Sequence, residues 1–216
     1  MTDDEHPNKS EDELHRRAKK LLNTGVEAFR RGDYSEALSS FESALALYRG
    51  LPGSERDQAD CLSNSGVALG ESGDLRGALE RFDQALAFYQ GLPGTERDQA
   101  SCLYNSGIAL RKSGDLRGAL ERYERALALY RGIPGAERDQ ASCLYNSGIA
   151  LGESGDWRGA LERYERALAL HRKLPGTERN QANCLYNSGN ALRSLGDSRG
   201  ALERYERALA LHRKLP

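Results

Sequence analysis

Apolar residues recur along this chain at steps of three and four, which is the spacing of one face of an α-helix. Between residues 136 and 175, one such face carries Ala141, Leu144, Gly148 and Leu151. A second face follows and comprises Ala160, Leu161, Tyr164, Ala167 and Leu168. The pattern predicts two amphipathic helices of about 18 residues, or roughly 27 Å, each.

A Gly-Asp pair, Gly155-Asp156, separates the two predicted helices. Glycine accepts the left-handed conformation that ends a helix, and aspartate is a preferred N-cap for the next one. Because the link is so short, the two helices must form an antiparallel hairpin. Pro175-Gly176 then turns the chain into the next unit.

The start of the first helix carries a capping signal in most copies of this unit. A hydroxyl residue followed by acidic residues predicts an N-cap at Ser54, Thr95 and Thr177. Ala136 stands at the same position in another copy, where we therefore expect a weaker cap.

The whole pattern returns every 41 residues. Residues 100–140 and 141–181 are identical at 33 of 41 positions. A single unit of this kind cannot bury its apolar face alone, so neighbouring units must stack. We predict an all-α fold of five stacked helical hairpins in one domain, 14–216, after a disordered acidic lead, 1–13. The predicted repeats are 18–58, 59–99, 100–140, 141–181 and 182–216.

Small residues recur where the helices must approach closely. The first helix repeats a glycine at positions 25, 66, 107, 148 and 189. The second helix repeats one alanine at 37, 78, 119, 160 and 201 and another at 44, 85, 126, 167 and 208. Opposite them stands one large aromatic residue per repeat: Phe41, Phe82, Tyr123, Tyr164 and Tyr205. Large side chains against small ones predict a dense core.

The glycine of the first helix, the Gly-Asp turn and the Ala/aromatic pattern of the second helix together resemble the tetratricopeptide repeat over about residues 18–216. The period is 41 rather than the usual 34, and seven extra residues lengthen the helices by about two turns without rotating their buried faces. Similar long repeats occur in kinesin light chain, in Pins-type spindle scaffolds and in bacterial arrays. The resemblance implies a right-handed α-solenoid whose first helices line a concave groove that holds extended peptides, and hence a protein–protein interaction scaffold.

An asparagine two residues before the glycine of each first helix is the most specific candidate for ligand contact. The row comprises Asn23, Asn64, Asn105, Asn146 and Asn187. An amide side chain offers one acceptor and two donors, which can pair with a peptide backbone regardless of its sequence. Alternatively, these amides bond within or between repeats and set the geometry of the array. Both roles can hold at once.

Tyrosines stand beside the asparagines in the last three copies, at Tyr104, Tyr145 and Tyr186. Exposed tyrosines are typical of binding surfaces because each offers apolar area and a hydroxyl group. The alternative is that they pack against the next first helix.

The copies differ about one helical turn further on, where specificity is expected. We assign Arg111, Lys112, Asn190 and Arg193 to the peptide site, since the cations suit an acidic side chain or a C-terminal carboxylate. The carboxylate clamp of chaperone-binding family members is not reproduced, because only the asparagine and Lys19 correspond. Chaperone tails are therefore not predicted as ligands.

Composition narrows the function classes. The formal net charge of −1 argues against a nucleic-acid or membrane surface role. No apolar run approaches the roughly 20 residues that span a bilayer, and the polar, acidic N-terminus resembles no secretory signal. We expect a cytoplasmic protein.

The sequence shows no phosphate loop, dinucleotide fingerprint, HExxH motif or convergent histidines, so we expect neither an enzyme nor a cofactor. One cysteine per repeat, Cys61, Cys102, Cys143 and Cys184, recurs at the same register. Equivalent cysteines in packed repeats are too far apart for a disulfide and do not cluster as metal ligands do. They are predicted to be buried packing residues.

Self-assembly is the alternative function. The chain stops at Pro216 just after the last predicted helix, whose stripe includes Ala201, Leu202, Tyr205 and Leu209. A following repeat would normally cover part of that stripe. The front of a second copy can mimic the missing repeat, which would give head-to-tail stacking and a homo-oligomer.

Overall fold

A computed structural model describes residues 9–213 of the chain. The helices within this range are α1 (Lys9–Arg30), α2 (Tyr34–Tyr48), α3 (Glu55–Ser72), α4 (Leu75–Gln90), α5 (Glu96–Lys112), α6 (Leu116–Arg131), α7 (Glu137–Glu153), α8 (Trp157–His171), α9 (Glu178–Ser194) and α10 (Ser198–His212). They alternate as five pairs of a first and a second helix, so the prediction of an all-α fold built from five helical hairpins is confirmed.

The chain divides into two compact units between Ala109 and Leu110, inside α5. In the first unit, α1 packs on α2, α2 on α3, and α3 on α4. In the second, α6 packs on α7, α7 on α8, α8 on α9, and α9 on α10. Within each unit, therefore, these helices pack against their neighbours along the chain.

Helix α1 begins at Lys9, so residues 9–13 are helical although they were assigned to the disordered lead. Glu11 and Asp12 lie in its first turn, where carboxylates interact favourably with the helix dipole. Residues 1–8 of the predicted lead lie outside the described residues. The predicted repeat starts at 59, 100, 141 and 182 likewise fall inside first helices, because these helices begin with an acidic turn that precedes their apolar face.

The aspartate of each Gly-Asp turn caps the second helix as predicted. Asp156 accepts a hydrogen bond from the Gly159 backbone N–H at 2.9 Å, and the other four aspartates make the same contact. The preceding glycine adopts a positive φ, 88° at Gly155, which confirms the left-handed end of the first helix.

Ser54 and Thr177 stand at the N-cap positions of α3 and α9 as predicted, but their hydroxyls do not make the expected capping hydrogen bond. The Thr177 hydroxyl instead donates to the carbonyl of His171 at 2.5 Å and to that of Leu174 at 3.0 Å. The side-chain amide of Gln181 then donates to the Thr177 oxygen at 3.1 Å. The hydroxyl therefore anchors the turn after the preceding helix, where the His171 carbonyl also accepts the Leu174 backbone N–H at 3.1 Å.

In the first, second, fourth and fifth hairpins, the aromatic residue of the second helix lies against the glycine of the first helix. A Cβ built on Gly148 would stand 2.6 Å from Cε1 of Tyr164, which is far inside van der Waals contact. The same approach occurs at Gly25 with Phe41, Gly66 with Phe82 and Gly189 with Tyr205. These contacts confirm the predicted packing of large side chains into the space left by glycine.

The four cysteines are buried, unpaired thiols, as predicted. Burial raises the pKa of Cys143 to about 12, with smaller contributions from Asp139 and Glu124. A thiol held in its neutral form is a poor nucleophile and a poor metal ligand, which fits a packing role.

Candidate peptide-binding groove

The asparagine row lies on the first helices, and the described contacts of several members are structural. The side-chain amide of Asn64 donates to the carbonyl of Asp60 at 2.9 Å, and that of Asn146 donates to the carbonyl of Ser142 at 3.0 Å. Both bonds return one turn within the same helix, a pattern typical of short polar side chains in helices. Asn105 is half-buried on α5, and Asn23 is exposed on α1. In two of the five asparagines, therefore, one side-chain N–H is already bonded to a carbonyl of the same helix.

In the last hairpin the amides join a chain of hydrogen bonds. The Tyr205 hydroxyl donates to Oδ1 of Asn190 at 2.9 Å. Asn190 donates to Oδ1 of Asn187 at 3.4 Å, and Asn187 donates to the Tyr145 hydroxyl on α7 at 2.8 Å. The chain links α10, α9 and α7 and fixes the orientation of both amides.

The three tyrosines of the predicted site differ in exposure. Tyr186 is 55% exposed and lies against Tyr205, with the ring centroids 5.6 Å apart. Tyr145 is half-buried against Tyr164 at 5.7 Å and is bonded to α9, as the packing alternative expects. Tyr104 is half-buried on α5. Burial raises the pKa of Tyr145, so its hydroxyl stays neutral at physiological pH.

The predicted cations also differ in their exposure and in their ion pairing. Arg111 pairs with Glu153, with 2.7 Å between Nη1 and Oε1, and its side chain is only 21% exposed. Lys112 is exposed at the end of α5. Arg193 is exposed on α9 and makes no ion pair with any described residue. Arg193 is thus exposed without an ion pair among the described residues, whereas Arg111 neutralises a neighbouring carboxylate.

An open groove of about 460 Å³ lies between the ends of α7 and α9 and the start of α8. Four predicted site residues line it, namely Tyr186, Asn187, Asn190 and Arg193. Ile149 and Glu153 of α7 line it as well. The groove therefore brings four of the twelve predicted site residues together around an apolar wall, two amides and one unpaired cation.

Gly152 and Trp157 also line the groove, and neither was among the predicted site residues. A Cβ on Gly152 would lie 3.1 Å from Cζ3 of Trp157, so the indole rests on the space that this glycine leaves open. The signal was present in the sequence. Trp157 is the chain's one tryptophan and follows the cap Asp156, and Gly152 stands where other copies carry Phe29, Arg111 or Arg193.

The tetratricopeptide repeat model matches the chain over residues 16–91, 63–132, 98–173 and 139–214. The chain belongs to the tetratricopeptide repeat family. Family membership supports a role as a protein-interaction scaffold, a role that in this family is generally non-enzymatic. No curated protein sequence matches the chain.

Solved structures share the fold of this tetratricopeptide repeat protein. BtubC (BKLC) from P. vanneervenii is 22% identical, with a TM-score of 0.79 over 94% of this chain and 89% of that one. A putative kinesin light chain from Podospora anserina with nearly identical TPR-like repeats is 18% identical, with a TM-score of 0.77 over 93% and 97%. MamA from Desulfovibrio magneticus RS-1 is 22% identical, with a TM-score of 0.70 over 91% and 96%. At these identities the likeness concerns the fold.

Two further observations concern residues 9–213 only. Within this range, no helix has the length and apolar character needed to cross a membrane. Among the same residues, no three or more His, Cys, Asp or Glu side chains are grouped so that they could hold a metal ion.

Proposed function

We propose that this chain is a non-enzymatic scaffold that holds an extended peptide segment of a partner protein along its first helices. The proposed contacts are the asparagine row, the tyrosines beside it and the cations Arg111, Lys112 and Arg193. The observation that carries the proposal is the groove beside α9, where Tyr186 is 55% exposed next to amides of fixed orientation. An exposed aromatic ring beside oriented amides suits a peptide, which needs both apolar contact and backbone hydrogen bonds.

The hydrogen-bond chain refines the roles within the site. Asn187 and Asn190 already bond to each other and to tyrosines, so their remaining N–H groups are the ones offered to a ligand. Tyr186 supplies the apolar contact, and Arg193 supplies the charge. Asn64 keeps one side-chain N–H for a ligand beyond the one that bonds to its own helix.

A photo-crosslinking experiment tests this proposal. Benzoylphenylalanine replaces Tyr186 in the groove, and in a control protein it replaces Arg199, whose side chain is 92% exposed on α10. Crosslinked partners from a source lysate are identified by mass spectrometry. Affinity for each purified partner is then compared between the parent chain and a variant with Tyr186→Ser and Arg193→Gly, which are residues that other copies carry at these positions (Ser63 and Gly152).

We expect a partner that crosslinks at position 186 and not at 199, and that binds the double variant at least tenfold more weakly. A partner captured equally at both positions, or bound equally by the variant, would contradict the proposal.

Self-assembly remains the second candidate, because Leu202 is 58% and Leu209 is 50% exposed on α10. The equivalent of Leu209 in α8, Leu168, is only 2% exposed. However, the stacking face of α1 is poorly matched to this surface. It carries Lys20 and Glu27 at positions where α9 buries Cys184 and Ala191.

Burying the charged groups of Lys20 and Glu27 against leucines would be unfavourable. We therefore rank head-to-tail stacking below peptide binding. Sedimentation velocity over a range of concentrations tests this ranking. A monomer throughout agrees with it, and head-to-tail oligomers that Leu202→Gln and Leu209→Gln abolish would reverse it.

A further inference from the structure

Charge is distributed very unevenly between the two units. Residues 1–109 contain 12 Lys and Arg against 19 Asp and Glu, whereas residues 110–216 contain 19 against 13. Although the formal net charge of the whole chain is close to zero, the second unit therefore has a clear excess of positive charge. Such asymmetry between halves of a chain points to an oppositely charged partner.

Part of this positive charge surrounds two equivalent surface pockets in the second unit. One pocket, of about 240 Å³, lies among α6, α7 and α8 and is lined by Arg131, Arg166 and Lys173 above an apolar floor. The other, of about 280 Å³, lies among α8, α9 and α10 and is lined by Arg172 and Arg207. Arg131 and Arg172 are 41 residues apart, as are Arg166 and Arg207. We call these two sites the basic pockets.

The floors of the basic pockets are built from leucine and alanine. Leu144 lines the first pocket together with Ala169 and Leu170, the latter being half-buried. Leu185, Ala210 and Leu211 occupy the equivalent places in the second. Each pocket can therefore accept an apolar side chain while its rim contacts a charged one.

Most cations of the basic pockets lack a carboxylate partner. Within residues 9–213, Arg131, Arg172, Lys173 and Arg207 make no ion pair, whereas Arg166 pairs with Glu162 of its own helix at 3.5 Å. Some other arginines of the same helices form closer ion pairs. Arg204, for example, pairs with Glu165 at 2.7 Å. The pocket cations are therefore available to an external anion.

Helix termini alone do not account for these charges. Arg131 and Arg172 lie at the ends of α6 and α8, where cations interact favourably with the helix dipole. Arg166 and Arg207 lie more than a turn inside their helices. The fold does not require them either, because the first unit carries Gln84 at the position equivalent to Arg166. It likewise carries Gly91 at the position equivalent to Lys173.

We infer that the basic pockets bind an acidic segment of a protein partner, with leucine-like side chains in the two floors and carboxylates on the arginine rims. The apolar floors favour a peptide over a nucleic acid, because they suit aliphatic side chains and a phosphate backbone has no group that would fill them. The guanidinium groups of the rims pair with the carboxylates of such a peptide through charge-assisted, directional hydrogen bonds. None of these residues lines the groove beside α9, so this surface is distinct from the proposed peptide site.

Fluorescence anisotropy with the full chain and labelled 20-residue probes tests the inference. The first probe is a peptide of alternating acidic and leucine residues. In the second, glutamine and asparagine replace the acids, and in the third, serine replaces the leucines. The fourth is an oligothymidylate of the same charge as the first.

Two variants each remove three positive charges from the second unit. The pocket variant carries Arg166→Gln, Lys173→Gln and Arg207→Gln. The control variant carries Arg117→Gln, Arg158→Gln and Arg199→Gln, at exposed positions in the first turns of α6, α8 and α10. Circular dichroism checks that both variants are folded.

We expect the acidic leucine peptide to bind the parent chain and to bind the pocket variant about tenfold more weakly, because the variant loses three ion pairs that are each weak at an exposed site. The control variant should lose less than half as much binding free energy, and the second and third probes should bind weakly. The inference is overturned if both variants lose affinity equally, or if the oligothymidylate binds as tightly as the peptide. It is also overturned if the acidic peptide does not bind the parent chain, or if sedimentation shows that the pockets instead join copies of this chain.

Discussion

Substitution of Gly148 by alanine tests the central packing rule of this fold. The new Cβ would lie 2.6 Å from Cε1 and 2.8 Å from Cδ1 of Tyr164. Ordinary carbon contacts begin near 3.4 Å, so the ring must move by several tenths of an ångström. Tyr164 is only 5% exposed, which leaves it little room. Overpacking of this kind typically costs about 1–3 kcal/mol.

Helix propensity acts in the opposite direction. Alanine is favoured over glycine in a helix by about 1 kcal/mol. Because the new Cβ lies within 3.0 Å of two ring atoms, the overpacking cost falls in the upper half of its range, about 2–3 kcal/mol. The net loss in free energy of unfolding should therefore be about 1–2 kcal/mol. Gly159→Ala in the same hairpin is the matched control. Its Cβ would meet only the movable carboxylate of Asp156. The first hairpin already has Glu36 at this position and keeps the capping bond to Asp33 at 3.0 Å. We therefore expect Gly159→Ala to be neutral or stabilising by up to about 1 kcal/mol.

Urea unfolding followed by tryptophan fluorescence measures both effects. Trp157 is the chain's only tryptophan and begins α8, so its emission reports on the hairpin that contains both glycines. Far-ultraviolet circular dichroism follows the whole chain in parallel, because repeat arrays need not unfold in one step. The packing argument is refuted if Gly148→Ala unfolds at the same or a higher urea concentration than the parent, or if the two variants shift the midpoint alike.

Three further predictions concern stability. Ala136→Thr should raise the free energy of unfolding by about 0.5–1.5 kcal/mol, because the hydroxyl can donate to the Tyr130 carbonyl as Thr177 does in its own turn; an unchanged or lower urea midpoint would contradict this. Tyr145→Phe should lower it by a similar amount through loss of the bond from Asn187, whereas an unchanged midpoint would make that bond unimportant. Burial, with a smaller effect of a nearby arginine, lowers the pKa of His171 below 6.5. The folded chain therefore resists protonation, and stability should fall as the pH drops from 7.5 to 5.0. His171→Tyr should reduce that loss, and an equal loss in the variant would exclude His171 as its source.

The helices, their hairpins and their buried faces could be predicted from the sequence because they depend on local spacing. Asp156 caps α8 through an N–H three residues away, and Gly155 ends α7 through its own backbone freedom. The contact between Gly148 and Tyr164 was also foreseen, since one repeat contains both residues and every copy repeats the size contrast.

Features that depend on contacts with a neighbouring element could not be predicted from the sequence. Thr177 looks like a helix cap, yet its hydroxyl bonds to carbonyls at the end of α8 that approach it only after the turn has folded. Tyr145 and Tyr186 are equivalent in sequence, but Asn187 bonds to the first while the second stays exposed.

The candidate site shows the same division. Its residue types and their register were determined by the sequence, because a repeat places equivalent positions on equivalent faces. Which of those groups is available to a ligand was decided by tertiary contacts. Arg111 is neutralised by Glu153, 42 residues away, whereas Arg193 has no such partner among the described residues. Charge pairing between helices depends on the distances between side chains in the folded chain, and the repeat pattern of the sequence does not give those distances.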